Sequence, residues 1–160
     1  MRNRKQNRLP DYNYSQPGAY FITVCTRGRR PILSTIVGGD AYIAPSVKLT
    51  SVGELADRYL RTIPGIGPYV IMPNHVHMIL HISSDNILKG PMWASAPTGN
   101  QVGQLVRSWK TLVTKAVGFP VWQRSFYDHV IRGEKDYIQI AAYIEENPAR
   151  WCEDTYYSGE

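Results

Sequence analysis

The chain has 160 residues, of which 43% are hydrophobic, and this predicts one folded domain over residues 1–160. Two cysteines and short apolar runs argue against a disulfide scaffold and a membrane protein, so we expect a cytoplasmic protein. Charge is uneven: residues 1–32 hold seven bases and one acid, residues 101–132 hold five and one, and the chain from residue 133 holds two bases and seven acids. Two basic segments that converge in space would suit a polyanion such as nucleic acid, although a solvated surface fits the charge equally well.

The first half of the chain predicts one strand, an irregular segment and a helix. Residues 1–16 form a basic N-terminal arm. The β-branched and aromatic run Ala19–Thr26 predicts a strand. Residues 33–50 contain glycine, aspartate and proline and are expected to be an irregular insertion. Ser51 is predicted to start a helix, since Glu54 lies three residues later and the two form a capping box.

The middle of the chain predicts three strands and the clearest helix. Tyr69–Met72 and His75–Ile82 are two short strands, and residues 83–100 form a second irregular insertion. Residues 101–117 carry apolar side chains at helical spacing and predict a long helix. Phe126–Arg132 predicts the last strand.

A last helix is predicted over Glu134–Asn147, because acidic residues occupy its first turn and Pro148 ends it. The order is then strand, helix, strand, strand, helix, strand, helix. This order predicts an α+β, ferredoxin-like fold: a split βαβ antiparallel sheet with helices on one face and an additional C-terminal helix. Such a sheet can leave its other face for a ligand.

Histidines alternate along the predicted strand His75–Ile82. Because alternate residues of a strand share a face, His75 and His77 point the same way, whereas the opposite face is apolar. Two neutral imidazoles on one face can bind a divalent ion, although an exposed polar pair is the more common meaning of this pattern.

The last helix carries a second polar pair, Tyr143 and Asn147, which are neighbours on its surface because they are four residues apart. They lie at the border of the apolar stripe. The phenol could act as a nucleophile and the amide oxygen could complete a metal site. On periodicity alone, a tyrosine at the edge of the core and an asparagine that merely ends the helix is the favoured alternative.

Three segments, taken in order, resemble one known family. They are Met72–His77 (MPNHVH), residues 122–132 (WQRSFYDHVIR) and Tyr143–Pro148 (YIEENP), and the early strand YFITVCTRGRR fits the same pattern. Over roughly residues 17–151, the chain resembles the IS200-like single-tyrosine (Y1) HUH transposases, and among them the REP-associated tyrosine transposases.

The resemblance implies a single-stranded DNA endonuclease and strand transferase that acts by transesterification through a 5′-phosphotyrosine. It implies that Tyr143 is the catalytic nucleophile and that His75, His77 and Asn147 hold a divalent cation, either Mg²⁺ or Mn²⁺. Tyr127 in the last predicted strand is the rival nucleophile. Within the same resemblance, the helical tyrosine with its following amide is the better match.

The partner that the resemblance implies is single-stranded or hairpin DNA of the REP-like palindrome type, with a homodimer as an open alternative to a monomer. The implied location is the bacterial cytoplasm, in association with the nucleoid. Neither a membrane nor a small-molecule substrate is expected. The basic residues expected to contact DNA are Arg2, Arg4, Lys5 and Arg8 in the arm, Arg27, Arg29 and Arg30 after the first strand, and Arg107, Lys110 and Lys115 on the long helix.

Three other functions compete with this hypothesis. A catalytically idle hairpin-DNA-binding protein or repressor of the same fold would have no need for His75, His77, Tyr143 and Asn147 together. A plasmid-type replication initiator would share HUH chemistry. A metal hydrolase unrelated to nucleic acid predicts a third carboxylate or histidine ligand close to His75, and none is evident in the sequence.

Overall fold

The computed structural model describes residues 17–83 and 101–157, so the predicted arm 1–16 and nearly all of the predicted insertion 83–100 lie outside the described residues. Six strands and three helices are present in the described part, together with two short 3-10 helices at Arg27–Arg29 and Asn147–Glu153. The strands and helices are β1 (Gly18–Cys25), β2 (Ser34–Val37), β3 (Ser46–Leu49), α1 (Ser51–Leu60), β4 (Ile66–Ile71), β5 (His75–Ile82), α2 (Gln101–Val117), β6 (Tyr127–Ile131) and α3 (Glu134–Glu146).

The main sheet has four strands in the order β4-β5-β1-β6, and all its neighbours are antiparallel. In chain order these strands are separated as β1-α1-β4-β5-α2-β6, which is the split βαβ arrangement. The predicted ferredoxin-like fold with an additional C-terminal helix is therefore confirmed. No helix of the described ranges is both long and apolar enough to span a membrane.

The apolar core lies between one face of this sheet and the helices α1 and α2. Val76, Met78 and Leu80 supply the β5 side of that core and are fully buried. Trp109 of α2 is also fully buried, and its Nε1 donates to the carbonyl of Ala56 in α1 at 3.1 Å. The indole hydrogen bond satisfies a buried donor and joins the two helices that cover this face.

The opposite face of the sheet is covered by α3 and the segment that follows it. The Tyr137 ring stacks on His81 with centroids 5.6 Å apart, and the Tyr143 ring lies 5.3 Å from His77. This face is not left open, because His75 and His77 are completely or almost completely buried beneath α3 and the segment after it. The helix α3 therefore covers a site that is formed on the histidine-bearing face of β5.

Two local predictions were wrong. The insertion 33–50 is not irregular, because β2 and β3 pair antiparallel from Ser34 opposite Leu49 onward. The glycine, aspartate and proline cues come only from the connection between these two strands. The cap of α1 is Thr50 rather than Ser51, since the Thr50 hydroxyl accepts from the Gly53 backbone N–H at 3.1 Å.

Candidate active site

The centre of the site is the pair of histidines at the start of β5. Antiparallel pairing sets Cys25 of β1 opposite His75, and Thr23 opposite His77. The two imidazole centroids are 4.5 Å apart, as expected for alternate residues on one face of a strand. The strand itself therefore brings two nitrogen donors to one point.

One nitrogen of each ring is already engaged within the fold. His75 Nδ1 donates to the Asn74 side-chain oxygen at 2.8 Å, and His77 Nδ1 is hydrogen-bonded to the Thr23 hydroxyl at 2.8 Å. Asn74 is held in turn, because its amide nitrogen donates to the Tyr156 carbonyl at 2.7 Å. Metal-binding histidines characteristically have one nitrogen fixed in this way, and both Nε2 atoms are thereby left to face the site.

Burial keeps both rings neutral. It lowers the pKa of His75 to about 2, with the neighbouring His77 adding to the effect, and it lowers the pKa of His77 to about 3. A neutral imidazole has the lone pair that a cation needs. The histidine pair is thus in its ligand form at any physiological pH.

Two oxygen donors complete the polar cluster. The carboxylate of Asp154 lies 3.8 Å from His75 Nε2, and the ligand atoms of His75, His77 and Asp154 are all within 4.8 Å of one another. Asn147 is buried as well, and in the described part of the chain neither its side-chain oxygen nor His75 Nε2 has a hydrogen-bond partner. Unpaired buried polar atoms are costly, so this donor set fits a divalent cation that would satisfy them.

Tyr143 contacts the cluster from the helix α3, which covers it. It lies on α3, and its Oη is 3.5 Å from His77 Nε2. The residue is 41% exposed, so part of Tyr143 is open to solvent although its oxygen lies beside a buried histidine. Partial burial raises the pKa of this phenol, while the adjacent Asn147 amide lowers it. The structure therefore brings together all four residues that the sequence singled out: His75, His77, Tyr143 and Asn147.

Sequence reasoning missed Asp154 and Tyr156. The 3-10 helix Asn147–Glu153 turns the chain back over the histidines, and the Tyr156 ring comes to lie 4.5 Å from the His75 ring. A third ligand near His75 was not evident in the sequence, but the structure provides one, because the Asp154 carboxylate lies 3.8 Å from His75 Nε2. This carboxylate alone does not exclude a metal hydrolase. The only sequence signal was an acidic tail, which does not say where the tail folds.

The rival tyrosine also lies on this face of the sheet. Tyr127 lies on β6 opposite Thr23 of β1, so the strand β1 separates it from the histidines of β5. Tyr127 is exposed. His129 on the same strand binds the Asp136 carboxylate at 3.0 Å in an exposed pair between β6 and α3. Tyr127 is therefore near the site, but Tyr143 is the tyrosine with an oxygen beside a histidine nitrogen.

The basic residues expected to contact DNA fall into three groups. Arg27, Arg29 and Arg30 follow β1 directly and are exposed, and the Arg29 guanidinium lies 5.4 Å from the Tyr156 ring centroid. Lys110 is half-buried, and its ammonium donates to the carbonyls of Gln123 and Ser125, which uses it inside the fold. The other predicted contacts of the long helix, Arg107 and Lys115, are exposed, and Arg2, Arg4, Lys5 and Arg8 lie outside the described residues.

The chain is similar to three curated bacterial proteins, although no family model matches it. It is 32% identical to an uncharacterized protein of Haemophilus influenzae, over 98% of this chain and 94% of that protein. It is 28% identical to the REP-associated tyrosine transposase of Escherichia coli, over 86% of this chain and 70% of the relative. A putative REP-associated tyrosine transposase of Haemophilus influenzae is 27% identical over half of this chain.

The fold is also found among solved structures. The structure of a REP-associated tyrosine transposase bound to a REP hairpin superposes with a TM-score of 0.62, at 23% identity, over 89% of this chain and 73% of that chain. At this level of identity the match shows the shared fold. The fold and the named relatives agree with the family that the sequence motifs indicate.

Proposed function

Because the chain belongs to the IS200-like single-tyrosine (Y1) transposase family, we propose that it is a single-stranded DNA endonuclease and strand transferase. The proposed substrate is DNA with a hairpin of the REP type, the ligand bound in the solved REP-associated tyrosine transposase that shares this fold. The proposed nucleophile is Tyr143. The observation that carries the proposal is the 3.5 Å approach of the Tyr143 phenol oxygen to His77 Nε2, at a buried cluster of metal-type donors.

The proposed ligands of a divalent cation are the Nε2 atoms of His75 and His77 and the side-chain oxygens of Asn147 and Asp154. The support is the donor set itself, together with the two buried polar atoms that lack a partner within the described ranges. A divalent cation bound there would act as a Lewis acid on the scissile phosphate. Imidazole ligands suit Mn²⁺ better than Mg²⁺, and oxygen ligands suit both.

The proposed reaction exchanges one phosphate ester for another. The Tyr143 oxygen attacks phosphorus, the bond from phosphorus to the 3′ oxygen of the leaving strand breaks, and a 5′-phosphotyrosine forms. The phenol gives up its proton, for which solvent is accessible because Tyr143 is partly exposed, and the leaving 3′ oxygen takes one up. Attack by another 3′-hydroxyl on the phosphotyrosine rejoins a strand and regenerates the phenol. Because each step exchanges one phosphate ester for another, the two-step reaction needs no ATP.

The test is a denaturing gel on labelled, hairpin-bearing single-stranded DNA, with Mn²⁺, Mg²⁺ or EDTA. The wild type should give a metal-dependent covalent protein–DNA band. Tyr143→Phe should abolish it, because phenylalanine keeps the ring but has no oxygen to attack phosphorus. The variant should still bind the DNA, which a native gel would show.

Two other tyrosines near the site provide matched controls. Tyr127→Phe and Tyr156→Phe should both keep the covalent band. If the band survives Tyr143→Phe but disappears in one of these variants, the reaction class stands and the nucleophile is wrong. If DNA binds and no band forms with any cation, the proposed catalysis is wrong and the idle hairpin-binding protein is favoured.

A further inference from the structure

We propose that a groove beside the active site binds one unpaired nucleotide of the DNA strand, with its base stacked on Phe119 and its phosphate held by Arg27. The groove is lined by Arg27, Gly28, Arg30, Phe119 and Pro120. This inference rests on the proposed function and adds to it a specific subsite for the single-stranded part of the substrate. Phe119 is not among the residues that the sequence motifs indicated.

The groove is preformed, because backbone hydrogen bonds join its two walls. The Arg27 N–H donates to the Val121 carbonyl at 2.8 Å, and the Gln123 N–H donates to the Cys25 carbonyl at 2.9 Å. Arg30 reaches across the groove and donates to the Pro120 carbonyl at 3.2 Å. A ligand would therefore meet a fixed surface rather than one that it must order, which lowers the entropic cost of binding.

The two walls offer the chemistry that a nucleotide needs. Phe119 is 41% exposed, and the Arg30 guanidinium lies over one face of its ring, 5.9 Å from the centroid, so a base would stack on the other face. Arg27 is exposed and has no acidic partner among residues 17–83 and 101–157. An aromatic face beside arginines is typical of surfaces that stack bases and neutralise phosphates of single strands.

The turn that carries the arginines is itself unusual. Gly28 and Arg29 have φ angles of 67° and 55°, so two successive residues are left-handed, and only the first is a glycine. The turn is held by the Arg29 N–H, which donates to the Thr26 carbonyl at 3.0 Å, and by the Thr26 hydroxyl, which donates to the Arg30 carbonyl at 2.8 Å. A strained backbone maintained by its surroundings is typical of ligand sites.

The same turn links the groove to the active site. The Arg29 guanidinium lies 5.4 Å from the Tyr156 ring centroid, and that ring lies 4.5 Å from the His75 ring. Arg27 and Arg30, its neighbours in the turn, line the groove. A strand that extends from the histidine cluster across the arginine turn would place an unpaired base on Phe119. Stacking of this kind tolerates any base.

The experiment measures binding of a fluorescein-labelled hairpin flanked on both sides by unpaired thymidines. Fluorescence anisotropy would compare the wild type with Phe119→Ala, Phe119→Trp and the control Tyr42→Ala, which removes an exposed aromatic ring from the β2–β3 connection. Phe119→Ala should weaken binding roughly 5- to 100-fold, because this is the range for loss of one stacked base. Phe119→Trp should bind the hairpin with the affinity of the wild type, because it keeps an aromatic ring, and Tyr42→Ala should leave the affinity unchanged.

A second series identifies the base. Each unpaired thymidine is replaced in turn by an abasic residue. At one position, removal of the base should weaken binding by the wild type as much as Phe119→Ala weakens binding of the intact DNA. In Phe119→Ala that same position should cost nothing further. Equal binding by Phe119→Ala and wild type, or an abasic effect that persists in Phe119→Ala, would overturn the subsite. If the wild type itself neither binds nor cleaves any hairpin-bearing strand, the proposed function fails instead.

Discussion

The surroundings of His75 and His77 hold both rings in the neutral form that a cation would require. Burial lowers their pKa values to about 2 and about 3. An exposed histidine has a pKa of about 6.5, so protons would compete with a cation in mildly acidic conditions. Here the hydrogen bonds to Asn74 and Thr23 also fix the ring orientations. Proton competition and ring rotation are thus both removed by the fold.

The same burial makes the metal-free protein sensitive to acid. In the unfolded chain both imidazoles take up a proton near pH 6.5, whereas in the folded protein they remain neutral to much lower pH. The unfolded state then binds more protons, so the contribution to stability is complete above about pH 6.5 and falls as the pH drops toward 3, by about 1.4 kcal/mol per pH unit for each histidine. Urea unfolding in EDTA at several pH values measures this slope.

The control for this slope is a change of an exposed histidine. His129→Gln should retain the acid sensitivity, whereas His77→Gln should reduce it, because His77 is one of the two buried histidines and His129 is exposed. Equal slopes for His77→Gln and the wild type would show that the buried histidines do not account for the loss of stability in acid.

Asp154 is expected to contribute to cation affinity because its carboxylate lies among the histidine donors. Asp154→Asn preserves the shape of the side chain and removes its charge, so the Kd for Mn²⁺ should rise about tenfold or more. At saturating Mn²⁺ a tenfold weaker Kd removes about 1.4 kcal/mol of cation-dependent stabilisation, which a thermal shift series would detect. The matched control is Asp136→Asn, since Asp136 also pairs with a histidine but at the surface. An unchanged Kd in Asp154→Asn would show that the negative charge of Asp154 does not contribute to the affinity for Mn²⁺.

Residue-scale prediction from the sequence succeeds where local geometry decides the outcome. Strand parity correctly puts His75 and His77 on one face, and helical spacing correctly pairs Tyr143 with Asn147. Neither rule reaches Asp154 or Tyr156, because their positions depend on a turn after α3 and on packing against β5. The family motifs supplied the link between strand and helix that periodicity could not.

At the scale of the element, α3 must be held at the right depth for its tyrosine to reach the site. Tyr137, nearly two turns before Tyr143, has its hydroxyl 3.1 Å from His81 Nε2. His81 lies on the same face of β5 as His75 and His77, and its Nδ1 is hydrogen-bonded to the Gly65 carbonyl at 3.1 Å. This pair joins α3 to the sheet along the same line as the contact of Tyr143 with His77.

Loss of the Tyr137 hydroxyl should therefore slow the chemistry without weakening DNA binding. Tyr137→Phe keeps the ring that stacks on His81 and removes one hydrogen bond, which is worth about 1 kcal/mol, so covalent-complex formation should slow roughly fivefold. Single-turnover cleavage gives this rate, and anisotropy gives the Kd, which should not change. His81→Gln should have the same effect, and the double variant should be no slower than either single one. Additive losses would contradict a shared positioning role.

Prediction of whole elements from the sequence succeeds wherever a repeat of apolar residues is long enough. The predicted helix over 101–117 matches α2 because its apolar residues follow helical spacing for the full length. Strands β2 and β3 were missed because each has only four residues, too few to show a period beside a turn rich in glycine. Thr50 was passed over as a cap because Ser51 satisfied the same pattern one residue later.

At the scale of the whole molecule, the described part of the first basic segment, residues 17–32, lies next to the second basic segment, residues 101–132. Arg30, from the turn after β1, donates to the Pro120 carbonyl, and Lys110 of α2 donates to the carbonyls of Gln123 and Ser125. The Arg30 and Lys110 side chains are thus both hydrogen-bonded to the connection between α2 and β6. The acidic chain after α3 instead supplies Asp154 to the cluster of metal-type donors. The uneven charge along the sequence therefore becomes a basic surface beside a cluster of metal-type donors that includes one carboxylate.

This arrangement predicts different roles for Arg27 and Lys110, two basic residues that the sequence analysis treated alike as DNA contacts. Arg27 is exposed, so Arg27→Gln should remove one phosphate contact and reduce the slope of log Kd against log salt by about 0.7 for a single strand. Burial lowers the pKa of Lys110, and its ammonium bonds two carbonyls, so Lys110→Gln should instead cost roughly 1–3 kcal/mol in the free energy of unfolding, with the salt slope unchanged. Anisotropy across a salt series and urea unfolding of both variants check the pair. A reduced salt slope in Lys110→Gln with full stability would mean that this lysine binds DNA and that its hydrogen bonds contribute little to the fold.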